Sequence, residues 1–215
     1  MDSPKSGRSS SATLPRVIGE VPYDEVVRPE YEKGAFKRRD FPGFREDYLA
    51  LHCLIRRHLP ERFFEIGTSV GLGTRVICRA ISRRRLWPDT RDRVFSLDVP
   101  PGTDPSIIYP EGEDHHPAKA GARNPYPYRQ LFGDSKSFDV RPYLPLDGWF
   151  IDGKHDYEYA RADTLLALSA DPRLIVWHDF QIEGVAKGVG DAIENGPEYG
   201  LKRVAGTRIA FAVRG

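Results

Sequence analysis

The residues of this chain that could do chemistry stand directly behind short apolar runs. Phe63-Phe64-Glu65-Ile66 leads into Gly67-Thr68-Ser69-Val70-Gly71-Leu72-Gly73-Thr74, and Val94 to Leu97 closes on Asp98. Leu131-Phe132 closes on Gly133-Asp134-Ser135, Trp149-Phe150-Ile151 on Asp152-Gly153-Lys154-His155, and Ile175-Val176-Trp177 on His178-Asp179. The glycines of the first stretch let the backbone come close to a ligand, and the free N–H groups opening the next helix favour a carboxylate or other anion. The spacing Glu-x-Gly-x-x-x-Gly-x-Gly fits neither the dinucleotide fingerprint Gly-x-Gly-x-x-Gly nor the P-loop, and no lysine is present to grip a phosphate. Glu65, at the end of its strand, suits a ligand with an ammonium group. The plainer alternative is an ordinary glycine-rich turn between a strand and a helix.

Positioning these groups requires alternating strands and helices, and the sequence supplies them. Residues 44–59 place Tyr48, Leu51, Leu54 and Ile55 at helical spacing before Pro60 stops the run. After the glycine turn, Thr74 to Ser82 reads as a crossover helix, Arg93 to Asp98 as a strand, and Tyr128 to Phe132 as a short strand. Gly148 to Ile151 and Leu174 to Trp177 read as apolar strands, with a helix from Tyr157 to Ala170 between them. A last helix covers Gly184 to Asn195, and Leu201 to Val213 forms a hairpin turning at Ala205-Gly206-Thr207. Alternation of this kind predicts a parallel sheet with its site at the carboxyl edge of the strands. In a right-handed βαβ unit the tip of the second strand lies beside the first turn, so Asp98 can accept hydrogen bonds from both hydroxyls of a ribose. Asp134, a third strand end along that edge, can reach the exocyclic amine of a purine. The combination describes a nucleoside site whose neighbouring group need not be a phosphate.

The 215 residues, 40% of them hydrophobic, suffice for one α/β domain with an extension. With 32 basic and 31 acidic side chains the net charge is +1, so nothing global points to nucleic acid or to a membrane surface. No apolar run approaches a membrane span, and the opening MDSPKSGRSSSA lacks the apolar core of a signal peptide. Cys53 and Cys78 lie in apolar helical context as small core residues, which fits a reducing cytoplasm. Residues 1–15 read as a disordered tail and residues 16–43 as a lid or flank, in which Tyr23, Tyr31 and Phe36 are substrate contacts or packing staples. Residues 44–215 then form the main domain. Within it, residues 100–127 make a long Pro- and Gly-rich loop, read as facing a substrate. Asp114, His115 and His116 in that loop, like Arg83-Arg84-Arg85 earlier, are read as solvated groups rather than as a metal or nucleic-acid site.

From Glu65 to Thr74, with Asp98, Gly133-Asp134-Ser135, the stretch from Phe150 to Glu158 and Trp177-His178-Asp179 following in order, the chain resembles the class I S-adenosylmethionine-dependent methyltransferases. The similarity runs from about Phe44 to the C-terminus and is nearest to bacterial sugar and natural-product O-methyltransferases, with the catechol type more distant. It implies a Rossmann-like α/β fold with a seven-stranded, mostly parallel sheet whose last strand is antiparallel, and helices on both faces. It implies S-adenosylmethionine as cofactor and a small-molecule acceptor, with a homodimer as the usual assembly. Glu65, Gly67, Thr68, Ser69, Gly71 and Thr74 would take the amino-acid arm, Asp98 the ribose, and Gly133, Asp134 and Ser135 the adenine side, with Asp152 adjoining. Several carboxylates favour a cationic sulfonium over a phosphate-bearing ligand.

In the catechol type a magnesium ion is held after the fourth and fifth strands, and the matching positions here are Asp152 and Asp179, with His178 beside the latter. Phe180 where the catechol type has an amide, and His178 where some bacterial relatives have an acid, depart from the pattern, which weakens the metal reading or shifts it toward manganese, zinc or iron. His155 stands where the catechol type has a basic lysine, and its ordinary pKa suits a general base near neutrality; a helix cap or a partner for Asp179 is the alternative. Amino-group methylases carry an Asn/Asp-Pro-Pro-aromatic signature, and Asp152-Gly153-Lys154-His155 stands in its place. Two other classes stay open on the sequence: a NAD-linked oxidoreductase on the same scaffold, and a cofactor-binding interaction module without catalysis.

Overall fold

The computed structural model describes residues 19–32, 44–82, 90–100, 126–194, 196 and 198–215. The tail, Phe36, Arg83-Arg84-Arg85 and the loop residues Asp114, His115 and His116 lie outside the described residues. Eight strands form one sheet: β1 (Gly19–Val21), β2 (Phe63–Ile66), β3 (Val94–Asp98), β4 (Arg129–Phe132), β5 (Gly148–Ile151), β6 (Leu174–Trp177), β7 (Tyr199–Val204) and β8 (Ala210–Arg214). Their order is β1-β7-β8-β6-β5-β2-β3-β4, and β8 alone runs against its neighbours. Among the described residues six helices accompany them: α1 (Tyr23–Val26), α2 (Pro29–Glu32), α3 (Arg45–His58), α4 (Leu72–Ser82), α5 (Tyr157–Ser169) and α6 (Glu183–Ile193).

The parallel sheet and the reversed last strand match the expectation, but the strand number does not. The eighth strand comes from the N-terminal segment, where Gly19–Val21 adds to the edge of β7 in parallel register. Three residues without alternating polarity gave no strand signal; the exposed edge of β7 supplies the pairing. Tyr23 and Tyr31 pack against the core beside α3, which makes them staples rather than contacts in the cavity described below.

Strand alternation divides the core in two. Phe63, Phe150, Val176 and Phe211 face α3 and α4, whereas Phe64, Trp149, Ile151, Ile175 and Trp177 face α5 and α6. Each large side chain so buried is worth roughly 1.5–3 kcal/mol of transfer free energy, which is why the wholly apolar strands occupy the middle of the sheet. Cys53 and Cys78 are buried free thiols in the first layer. The Trp177 indole, sealed inside the second, gives its N–H to Thr164 Oγ1 at 2.9 Å. The central strand ends are tied together by backbone bonds from Gly67 to Leu97, Asp152 to Ile66, Gly133 to Asp98 and His178 to Ile151, each 2.9–3.0 Å. These bonds hold the acidic tips in one row. Among the described residues no helix is long and apolar enough to cross a membrane.

Candidate functional site

The row of strand ends borders a cavity of about 430 Å³. Gly67 and Ser69 of the β2–α4 turn, Asp98 and Val99 after β3, Gly133, Asp134 and Ser135 after β4, and Asp152 to His155 after β5 all line it. The turn is shaped by three positive-φ residues, Gly67 at 94°, Ser69 at 44° and Gly71 at 77°. At Gly67 a side chain has no room, since a Cβ would stand 2.0 Å from the Asp152 carbonyl oxygen. Asp98 fastens the far side of the turn, accepting N–H bonds from Ser69 at 2.7 Å and from Val99 at 2.8 Å. Asp134 accepts the Lys136 N–H at 3.0 Å and the Tyr159 hydroxyl at 3.2 Å.

Four residues assigned to the cofactor from the sequence do not line the cavity: Glu65, Thr68, Gly71 and Thr74. Glu65 shares its strand face with Phe63, so its side chain points under α4, and it is fully buried. One carboxylate oxygen accepts from Thr74 and from Ser96 Oγ at 2.5 Å, and Ser96 Oγ in turn lies 2.6 Å from Thr68 Oγ1, which takes a bond from Gln130 at 2.9 Å. Burial pushes the Glu65 carboxyl up to about 8, against the pull of those two hydroxyls. Glu65 and Thr68 therefore brace the turn from behind. Strand parity turns Glu65 away from the cavity in which an ammonium arm would lie.

Sequence reasoning passed over Tyr159 and Asp163, which need tertiary structure to be seen. Tyr159, on the first turn of α5, lines the cavity with Lys136 Nζ 4.0 Å and Lys154 Nζ 5.0 Å from its ring centroid. Asp163, one turn on, is buried beneath Gly153 and Ser135, and burial raises its carboxyl to about 6. The preceding Asp-x-x-Tyr gave one usable signal: Asp156 caps α5, accepting the Tyr159 N–H at 2.9 Å. That removes the capping alternative for His155.

Beyond Asp152 the edge becomes a charged cluster. His155 Nε2 lies 3.2 Å from Asp179 Oδ2 and 3.7 Å from Asp152 Oδ1, and the proximity of Asp152, opposed by partial burial, raises its pKa. Asp179 itself sits at φ 51°, a left-handed conformation that few non-glycine residues adopt. Its Oδ1 accepts from Arg208 at 3.1 Å and Gln181 at 3.0 Å. Burial would raise this carboxyl, yet the His178 ring beside it and the bond from Gln181 hold it well below the carboxylate range.

His178 has a different place from the one expected. It is 6% exposed, stacked on Tyr48 with ring centroids 6.1 Å apart, and its Nε2 is 3.2 Å from Asp47. Nδ1 stands 3.2 Å from both Asp152 and Asp179. Burial alone would lower its pKa, but Asp152, Asp179 and Asp47 around the ring raise it to about 11. The ligand atoms that converge within 4.8 Å of one another belong to Asp152, His155 and Asp179, so His155 takes the place expected of His178. Two hard oxygens and one imidazole nitrogen fit a borderline ion such as manganese, iron or zinc better than magnesium.

No match was found among curated proteins. Among solved structures, an O-methyltransferase from Bacillus cereus in complex with SAH has 17% identity and a TM-score of 0.55, covering 89% of this chain and 90% of its own. The O-methyltransferase TomG from Streptomyces achromogenes, involved in tomaymycin synthesis and bound to SAM, has 18% identity and a TM-score of 0.54, covering 88% and 91%. MycE of the mycinamycin biosynthetic pathway, in complex with Mg, SAH and mycinamycin VI, has 16% identity and a TM-score of 0.52 over 86% of this chain and 54% of its own. At such identities the likeness is one of fold. The model of the methyltransferase domain matches residues 64–180, over half of the chain and every central strand from Phe64 to the charged cluster. With that match the oxidoreductase alternative lapses, and the chain belongs to the methyltransferase-domain family.

Proposed function

We propose that the protein transfers a methyl group from S-adenosylmethionine to a hydroxyl of a small molecule. The observation that carries this is the placing of Asp98, Asp134, Asp152 and His155 around one cavity at the carboxyl edge of the sheet. A volume of about 430 Å³ falls in the usual range for small-molecule and cofactor pockets. Its acids match hydroxyls, an amine and a sulfonium, and it holds no phosphate-gripping motif. Structures of the same fold were solved with SAH or SAM, which supports the choice of cofactor.

When bound, S-adenosylmethionine would supply an electrophilic methyl on its sulfonium, an O–CH₃ bond forming as the S–CH₃ bond breaks and S-adenosylhomocysteine departs. Asp98 would hold the ribose and Asp134 the adenine amine, fixing the methyl toward Asp152. His155 would take the hydroxyl proton as the oxygen attacks, and the nearby carboxylates of Asp152 and Asp179 favour the imidazolium that results. His178, buried with Nδ1 3.2 Å from both acids and Nε2 3.2 Å from Asp47, would keep those two acids in place.

A metal-assisted variant is favoured by the convergence of Asp152, His155 and Asp179. These residues would hold the ion, which would supply a lowered pKa for the bound acceptor oxygen. The fold of MycE, a structure containing Mg, is consistent with such assistance. Cytoplasmic residence, as the free thiols suggest, and a homodimer belong to the same reading. Isothermal titration with S-adenosylmethionine, S-adenosylhomocysteine and NAD, each with and without manganese, tests it. Heat with the first two alone supports the proposal; heat with NAD alone would overturn it. Binding without methyl transfer to any acceptor would mark an interaction module.

A further inference from the structure

A second cleft, of about 380 Å³, opens between the start of α3 and the β7–β8 turn. Phe44, Asp47, Gln181, Arg203, Thr207 and Arg208 line it. Asp179 lies between the linings of this cleft and of the cofactor cavity, its Oδ2 meeting His155 of one and its Oδ1 meeting Gln181 and Arg208 of the other. An acceptor whose hydroxyl reaches His155 could thus lay its remaining atoms in this cleft.

Most polar groups of the cleft are already engaged. Arg208 gives its backbone N–H and Nε to Asp47, both at 2.9 Å, gives a terminal nitrogen to Asp179, and lies 3.9 Å over the Phe44 ring. Thr207 Oγ1 donates to the Val204 carbonyl at 2.9 Å and accepts from the Ile209 N–H at 3.1 Å. Glu46, also at the cleft, is 3.9 Å from Arg45. Arg203 is the exception. Its Nε is buried with no hydrogen-bond partner, and among the described residues it forms no ion pair, not even with Glu20, its register partner on β1. A buried guanidinium N–H left unbonded is costly, and the planar fork matches a carboxylate. A dianion is the poorer match, because Asp47, Asp179 and Glu46 stand close by with one unpaired cation to offset it.

We propose that this cleft holds the methyl acceptor and that the acceptor is a hydroxylated carboxylic acid whose carboxylate pairs with Arg203. The inference rests on the methyl-transfer reading. Aromatic and sugar acids share this chemistry, and the test separates them. The full-length protein, saturated with S-adenosylhomocysteine, is titrated calorimetrically with 3,4-dihydroxybenzoate and its methyl ester, and with glucuronate and glucuronamide. One acid should bind at least about tenfold more tightly than its neutral partner, as a charge-assisted pair predicts. Arg203→Gln should abolish that preference and Arg203→Lys should restore part of it, with unchanged melting temperatures and unchanged S-adenosylhomocysteine binding. Equal binding of acid and neutral partner for both pairs, or a preference that survives Arg203→Gln, overturns the proposal. Absence of heat with S-adenosylhomocysteine would instead strike the cofactor reading itself, so the two failures are told apart.

Discussion

Gly67→Ala tests whether the contact between the β2–α4 turn and β5 builds the site. The added Cβ would meet the Asp152 carbonyl oxygen at 2.0 Å, its carbon at 2.5 Å and the Gly153 nitrogen at 2.9 Å, all of them backbone atoms unable to rotate aside. Relief to an ordinary contact of about 3.4 Å requires the turn and β5 to part by more than 1 Å. The residue must also hold φ 94°, which costs a non-glycine residue roughly 1–2 kcal/mol. With overpacking of about 1–3 kcal/mol added, the loss is on the order of 3 kcal/mol. For a chain of this size that lowers Tm by roughly 6–12 °C. Since Asp152 and His155 follow on the displaced strand, turnover should fall by about a hundredfold, the usual result of an ångström of misplacement. Gly206→Ala is the control, for it shares a positive φ of 71° but has nothing within 4 Å of its Cβ. It should lose about 1 kcal/mol. Calorimetric melting and initial rates on both variants decide the matter: a Gly67→Ala protein that melts with the control and keeps its turnover would refute the reasoning.

Three further outcomes follow from the same geometry. Glu65 keeps its proton up to about pH 8 in the fold but loses it near 4.5 when unfolded, so the native state binds the extra proton and stability falls as pH rises between those values. Glu65→Gln should remove that slope, gaining on the parent by up to about 1.4 kcal/mol per pH unit in urea titrations at pH 5.5 and 7.5, and it should leave S-adenosylhomocysteine affinity unchanged; a constant difference counts against the buried acid. Asp98→Ala should weaken S-adenosylhomocysteine binding by roughly ten- to a hundredfold, whereas His155→Ala should leave binding intact and slow transfer by about 10²–10⁴. Equal loss of binding in both variants would contradict the role given to the histidine. Thr164→Val strands the indole N–H of Trp177 and should lower unfolding free energy by about 1–3 kcal/mol, read from denaturant midpoints with no change in cofactor binding.

The sequence by itself determined the order of the core and the row of acids. Wholly apolar runs such as Leu174–Trp177 can lie only inside a covered parallel sheet, and their following residues must then share one edge, so Asp98, Asp134 and Asp152 were legible as neighbours. Side-chain direction and long-range pairing were not legible. Glu65 looked like a ligand because it precedes the glycines, but the two-residue alternation of β2 turns it into the core beneath α4. His178 looked like a metal ligand because it adjoins Asp179, yet its Nε2 also meets Asp47, 131 residues earlier, and only folding brings the two within 3.2 Å. The free guanidinium of Arg203 and the three-residue strand β1 are of the same kind, since each is defined by what fails to reach it or what lies beside it in space. Local pattern fixes which residues reach the edge of the sheet; desolvation and charge contacts between distant segments decide what each of them can do there.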